Sequence, residues 1–479
     1  MSKPQYSCPG LLPGLALLLT GLMLSSSCDL LSKAAQGISH GINGPQSTAP
    51  NQVGTAGLPG NMSPATKQDI DALWNSYSAE DRQLLADNNM DRSQLDGMEG
   101  MLDVQTIRQM LDSQLQMYRP MELHPKSVVI GKALQWRELD SFTKDMDEYA
   151  AIVAGNFDDD ADAELLLNLR GFEILELDGS RRSLPGLDGT ELGIYGVWDM
   201  DGDGRSELLA VSAEYSAVDG GDSGMQTSIL ALDGQVLATL EGMSMYGPHA
   251  TADLDGDGFA ELLLTTYDMT SYAASLKAYG RAGKEIWQQN GIGMGEGMVT
   301  GDVDGDGLDE LLAAAMDPQS GMPGRVMAYG IRQEATAIPG LTDNSLIGPP
   351  MFCIDINGDG MDEILVGRNL LNPVDGIRSR LAKPQGWSEM QLGGGMGLGC
   401  GLLRRDGQAW LVARCIEGME DWRSDTLLMW DAAGQLVYEE HIGEELVDLR
   451  VVHSASGERV VLQTRSRLLL SEVKQPLMD

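Results

Sequence analysis

The run Asp199-Met200-Asp201-Gly202-Asp203-Gly204-Arg205-Ser206-Glu207, followed at once by Leu208-Leu209-Ala210-Val211, decides the reading of this chain. Carboxylates stand at positions 1, 3, 5 and 9 of a tight loop, glycine stands at position 6, and an apolar strand begins where the loop ends. Glycine at position 6 permits the backbone turn that brings the two halves of the loop together. Hard oxygens converging on one point suit calcium, which accepts about six to eight of them, and position 7 adds a backbone carbonyl. Magnesium demands a stricter octahedron, and softer metals call for His or Cys. Calcium is the cofactor expected.

The arrangement recurs at Asn156, Asp158, Asp160 and Glu164, at Asp253, Asp255, Asp257 and Glu261, at Asp302, Asp304, Asp306 and Glu310, and at Asp355, Asn357, Asp359 and Glu363. The first copy departs furthest, with Asn156 at position 1 and Ala161 in place of the glycine. Eighteen of the twenty ligand positions are carboxylates. Held a few ångströms apart without a cation they would repel one another, so bound calcium is expected to hold the repeats together and to stabilise them by mass action. An EF-hand begins in the same way but requires a bidentate Glu at position 12 and flanking helices. Position 12 of the four glycine-containing copies is Ala210, Leu264, Ala313 or Val366, each inside an apolar run, and the EF-hand reading fails.

Loop starts lie 43, 54, 49 and 53 residues apart, a period that with strand-like sequence on both sides means a propeller or an array. Two worn copies follow: Leu403-Arg404-Arg405-Asp406-Gly407 before Trp410-Leu411-Val412, and Ser454-Ala455-Ser456-Gly457 before Val460-Val461-Leu462. Several units add a second apolar run with a turn, as in Ile174-Leu175-Glu176-Leu177-Asp178-Gly179, Ile229-Leu230-Ala231-Leu232-Asp233-Gly234 and Leu428-Met429-Trp430 before Asp431. Four short strands fit in each unit, as a propeller blade requires. The fold class expected is mainly β: a seven-bladed β-propeller, with six to eight blades possible, and a short N-terminal α-helical segment. The last unit runs out of chain, and Val128-Val129-Ile130 with their neighbours are expected to supply its missing strand.

The loops resemble the FG-GAP and VCBS repeats of integrin α-type β-propellers, whose pattern is D-x-D-G-D-G-x-x-D followed by an apolar strand. The resemblance is clear from about residue 150 to 370 and extends more weakly to 479. It implies a calcium-binding propeller. All five copies carry Glu at position 9 where the family usually has Asp.

Composition agrees with a cation collector. Asp and Glu number 71 against 33 Lys and Arg, a formal charge of −38, whereas phosphate binding needs clustered cations; nucleic acid is not an expected partner. The 59 glycines and a 5% share of aromatics favour tight turns and closely packed strands over a large helical core.

The chain divides into four parts. In residues 1–27, Lys3, the short apolar run Leu11 to Leu24 and then Ser25-Ser26-Ser27-Cys28 read as a signal peptide. The small residues before Cys28 resemble a bacterial lipobox, which implies lipidation of Cys28 and a lipid-anchored place in the bacterial cell envelope, with inner and outer membrane both open. Residues 28–62, rich in Gly, Ser, Pro, Asn, Gln and Ala, form a tether. Residues 63–120 carry helix signals: Ser63-Pro64 as cap and first turn, Ser78 with Asp81, and Asp103 before Ile107, Met110, Leu111 and Leu115. Residues 121–479 are the propeller. Cys353, Cys400 and Cys415 allow one disulfide or three buried thiols.

No nucleophile or metalloprotease motif appears, and His40, His124, His249, His441 and His453 are scattered. Two function classes stay open, because propellers host both. One is a non-catalytic binding or scaffold module for a protein or glycan partner, touching the membrane through its N-terminal lipid only. The other is a propeller-fold enzyme such as a polysaccharide lyase, a hydrolase or a quinoprotein dehydrogenase, the last suggested by Ala282-Gly283-Lys284-Glu285-Ile286-Trp287.

Overall fold

The computed structural model describes residues 64–472, apart from 142–151, 213–225, 243–249, 269–272, 293–298, 317–322, 342–350, 393–398, 419–422 and shorter breaks. The expected signal peptide, the tether, Cys28, His40 and His249 lie outside the described residues. The chain divides into two compact units, Met1–Met121 and Glu122–Asp479.

The described part of the first unit holds helices α1 (Lys67–Ser76), α2 (Ala79–Asp87) and α3 (Val104–Tyr118). Helix α1 starts later than Ser63-Pro64 suggests. Thr66 and Asp69 form a reciprocal capping box in which each accepts the other's backbone N–H, at 3.0 and 3.3 Å, and two donors at the helix start are satisfied together. Ser78 caps α2 by accepting the Asp81 N–H, and Asp103 caps α3 by accepting those of Gln105 and Thr106. The apolar faces close on one another: Ile70, Leu73, Leu85, Leu95, Ile107, Leu111 and Leu115 are buried in one cluster.

The second unit is mainly β. Its first sheet is the antiparallel meander Val153–Gly155, Glu164–Asn168, Phe172–Leu175 and Arg181–Ser183. The second is Leu192–Trp198, Glu207–Ser212, Gln226–Leu230 and Val236–Glu241, and the third Ala250–Ala252, Glu261–Asp268, Ala273–Gly280 and Lys284–Ile292. The fourth is Val299–Gly301, Glu310–Met316, Pro323–Tyr329 and Thr336–Ala337, and its second strand pairs with the last strand of the third at Ile292 and Ala315. The fifth is Met351–Ile354, Glu363–Val366, Asn369–Leu371 and Arg378–Arg380. Next, Cys400–Arg405, Gln408–Glu417 and Ser424–Trp430 pair in turn up to the first half of the long strand Leu436–Val452. The second half of that strand pairs with Arg459–Thr464, which pairs with Arg467–Ser471 and through it with Trp136–Ser141.

The second strand of each sheet explains why the strings of Leu, Ile and Val do not alternate with polar residues: both of its faces are buried. Leu166 packs forward on Leu208 and Ala210, Leu209 on Leu262 and Leu264, and Leu263 on Leu311 and Ala313. Leu312 then packs on Ile364 and Val366, Leu365 on Leu411 and Ala413, and Val412 on Val460 and Leu462. Finally Val461 packs on Leu165 and Leu167 of the first sheet, and the series returns to its start. An apolar layer lies between every neighbouring pair, the closing pair included. The unit is a β-propeller.

A hydrogen-bond ladder repeats the same order on the loops. Position 8 donates its N–H to the carbonyl of position 1 in the preceding loop: Ser206 to Asn156 at 2.6 Å, Asp309 to Asp253 at 3.1 Å and Asp362 to Asp302 at 2.7 Å. The ladder crosses the closure as well, where Ala163 donates to the carbonyl of His453 at 3.0 Å. His453 follows Val452 just as Asp199 follows Trp198, so this worn copy keeps its place after losing its acids.

The closing strand differs from the expectation. Val128 and Ile130 pair with Glu440 and Glu439 as an extra strand beside Leu436–Val452, and the missing strand is Trp136–Ser141. Only Leu139 of Trp136-Arg137-Glu138-Leu139-Asp140-Ser141 is a buried apolar residue, so an edge strand this polar gives little hydrophobic signal.

Close approach of the first strands needs small residues. A Cβ on Gly301 would lie 2.3 Å from Asp362 Oδ2 and 2.6 Å from Cys353 Cβ in the next sheet. Gly301→Val is expected to destabilise the propeller by about 1–3 kcal/mol, read as a lower midpoint in urea with circular dichroism following the β signal.

Candidate metal centres

Four loops share one backbone. Position 4 is left-handed at Gly202, Gly256, Gly305 and Gly358, with φ of 77°, 77°, 77° and 79°. Position 6 is left-handed at Gly204, Gly258, Gly307 and Gly360, with φ of 92°, 82°, 86° and 87°. Side chains with a Cβ are strained in this region, so both glycines are required by the turn, where the sequence reading assigned that need to position 6 alone.

The carboxylates fold their own loop. Asp199 accepts the N–H of Gly202 at 2.7 Å and of Gly204 at 2.9 Å, and Asp253 and Asp302 repeat both bonds at the same distances. Asp201, Asp255 and Asp304 each accept the N–H of position 5 at 3.1 Å. Asp203, Asp257 and Asp306 accept that of position 7 at 2.8, 2.8 and 2.9 Å. Each carboxylate has about four lone-pair sites, so after these bonds oxygen capacity remains for an ion.

Glu at position 9 opens the second strand and reaches back across the loop. Glu207, Glu261 and Glu310 accept the N–H of Met200, Leu254 and Val303 at 2.7, 2.8 and 3.1 Å. Glu164, Glu261, Glu310 and Glu363 are buried, and burial together with the neighbouring Asp charges raises each to about 7. Glu207 is raised in the same way. Glu164 Oε1 and Glu363 Oε2 are buried without a hydrogen-bond partner. A carboxylate oxygen held out of water beside other carboxylates is what a hard cation would satisfy.

The side chains converge to different degrees. Ligand atoms of Asp199, Asp201 and Asp203 lie within 4.8 Å of one another, as do those of Asp302, Asp304 and Asp306 and those of Asp253, Asp255 and Glu261. In the fifth loop Asp355 keeps its bonds to Gly358 and Gly360, but Asn357 turns its amide NH2 onto Asp359 at 3.1 Å and Glu363 at 2.6 Å, taking up part of their acceptor capacity.

The first loop is built otherwise. Its position-4 residue, Asp159, is not left-handed, and the Asn156 amide donates to the carbonyls of Asp160 and Gly204, tying the loop to its neighbour. Asp158 and Glu164 converge there with Glu176. Sequence reasoning missed Glu176, which it took as part of a second apolar run. Aligned with Ile229-Leu230-Ala231-Leu232, Glu176 replaces Ala231, and an acid in place of a small residue was the available signal. Elsewhere Cys353, Cys400 and Cys415 are free thiols, and burial pushes Cys400 up to about 12.

Glu261→Gln keeps an acceptor for the Leu254 N–H and removes one buried charge from the third loop. In chelator the variant is expected to melt above the parent, and in calcium to gain less, with both shifts read by differential scanning calorimetry.

No family model matches the chain, and no curated protein matches it. Solved structures do resemble its fold. BBS1N, crystallised in complex with ARL6DN, aligns at a TM-score of 0.44 and 10% identity over 72% of this chain and 99% of that one. The AfRom2 CNH domain aligns at 0.40 and 11% over 71% and 100%, and BamB from Moraxella catarrhalis at 0.34 and 13% over 67% and 86%.

Proposed function

We propose that this chain is a calcium-stabilised, seven-bladed propeller of the FG-GAP and VCBS kind, tethered to the bacterial cell envelope through a lipid on Cys28. In this reading it serves as a non-catalytic binding or scaffold module for a protein or glycan. The observation that carries the calcium reading is the shared backbone of four acidic loops, each in the same place on successive sheets. Oxygen donors without His or Cys select a hard divalent ion, and the mobile coordination number of calcium tolerates Glu at position 9.

Bound calcium supplies positive charge between the carboxylates of each loop. The protein's part is to orient the oxygens through the bonds from positions 4, 6 and 7 and to anchor the far side of the loop through Glu at position 9. The bonds from position 8 to the preceding loop, made by Ser206, Asp309 and Asp362, then let a filled loop support its neighbour. A rigid ring of this kind presents loops from several blades side by side, and propeller rims of mixed loops suit recognition of a protein or glycan.

Calorimetric titration of the chelator-treated full chain is expected to show three tight calcium ions, at the loops starting at Asp199, Asp253 and Asp302, and weaker uptake at the first and fifth. Asp201→Asn should remove one tight ion. An absence of heat and of any rise in melting temperature would defeat the calcium reading. Cys28→Ala is expected to move the protein from the membrane fraction to the soluble one. Retention of one defined envelope protein or glycan in calcium, and its release by chelator, is the result expected of a binding module; turnover of a polysaccharide or an alcohol would replace that reading with the enzyme.

A further inference from the structure

The first sheet sets two carboxylates face to face where the other acidic-loop sheets do not. Leu165 pairs with Leu175, so the next step of this antiparallel register places Glu164 opposite Glu176. The same step places Glu207 opposite Ala231, Glu261 opposite Gly280, Glu310 opposite Gly330 and Glu363 opposite Asn372. Those four sheets meet the position-9 carboxylate with a small or neutral residue. Like charges directly opposite each other destabilise a strand pair, and here one of them, Glu164, is 0% exposed.

The surroundings offset little of that charge. Glu164 Oε2 accepts the Phe157 N–H at 2.5 Å, and Oε1 is buried with no hydrogen-bond partner. The backbone of Glu176 is taken up in its own turn, its N–H on the Ser180 carbonyl and its carbonyl on the Gly179 N–H, both at 2.9 Å. Its carboxylate makes no hydrogen bond or ion pair among the described residues. Arg182 acts on Glu176 through space, and its guanidinium donates to the Phe157 carbonyl at 3.4 Å. Asp158 completes the group: oxygens of Asp158, Glu164 and Glu176 lie within 4.8 Å of one another. Oxygens on one calcium, each at about 2.3–2.6 Å, stand up to about 5 Å apart, so small side-chain rotations bring these three onto one ion.

The loop turns its position-1 residue to another task. The Asn156 amide donates to the carbonyls of Asp160 and Gly204, and its oxygen accepts the Asp158 N–H at 3.3 Å. In the second loop Asp199, at the same position, accepts from Gly202 and Gly204. Asp159 and Ala161 replace those glycines in the first loop, so the left-handed turns that wrap the regular loops are not built.

We propose, resting on the calcium reading of the regular loops, that the ion of the first loop has moved off the turn and onto the hairpin. A calcium ion is held there by Asp158, Glu164 and Glu176, with water completing its shell, and Asn156 is a tie to the second sheet and not a ligand. The facing carboxylates become a ligand pair, and the ion joins the second strand of the sheet to the end of the third.

The test is calcium binding to the chelator-treated full chain, by calorimetry and equilibrium dialysis, in the parent, Glu176→Gln and Glu176→Ala. Ala231 fills the matching place in the second sheet, so alanine suits this strand pair. Both variants are expected to keep the three tight ions of the loops starting at Asp199, Asp253 and Asp302, and to weaken one of the others by about tenfold or more. In thermal melts they should stand above the parent in chelator and gain less from calcium. Three ions and no more in the parent, or uptake unchanged in both variants, overturns this site and leaves the calcium reading of the regular loops standing. No uptake at all overturns both.

Discussion

A sheet with apolar side chains on both faces needs a neighbour on each side, and this constraint governs the second unit. In an open row the two end sheets would each leave one such face in water. At about 1.5–3 kcal/mol for each large side chain, the layer of Leu139, Leu165, Leu167, Val461, Leu468 and Leu470 is too costly to leave uncovered. Closing the row removes both bare faces at once. Burial on two sides also sets the sequence pattern, because Leu165, Leu166 and Leu167 serve alternately the sheet behind and the sheet ahead.

The acidic loops occupy the turn between the first and second strand of the first five sheets, where Glu at position 9 joins them to the core. It is the first residue of the buried second strand, and one of its oxygens holds the N–H of position 2. Loop geometry is therefore inherited from strand packing. The same burial that fixes the carboxylate places it among other negative charges in a low-dielectric setting, so the loop is well formed in its backbone and poorly compensated in its charge.

Much of this was legible in the residues. The glycines at position 6 and the acids at 1, 3, 5 and 9 identified the loops, and their period identified the repeated sheets. What escaped was whatever depends on register rather than composition. Trp136–Ser141 is a strand because Arg467–Ser471 offers it an edge, and its own residues are mostly polar. Glu176 joins the first loop because the third strand of its sheet ends beside Asp158 and Glu164. His124 and His441 looked scattered, and only the pairing of Ser127 with His441 brings them together. Thr66 displaced Ser63 as the helix cap through the reciprocal bond to Asp69, a choice between two good signals that local spacing alone did not rank.

The pairing of Trp136 with Ser471 has a consequence for the order of assembly. Each of the first five sheets is made from one continuous piece of chain and gathers its strands locally as synthesis proceeds. The last sheet is assembled from both ends, so it waits until nearly the whole chain exists. Loop-closure entropy rises only slowly with the length enclosed, which makes the late joining affordable in free energy, yet it is slow in time. Until then the first and last blades keep their inward faces bare, and the growing chain stays adhesive for longer than a protein of local contacts would.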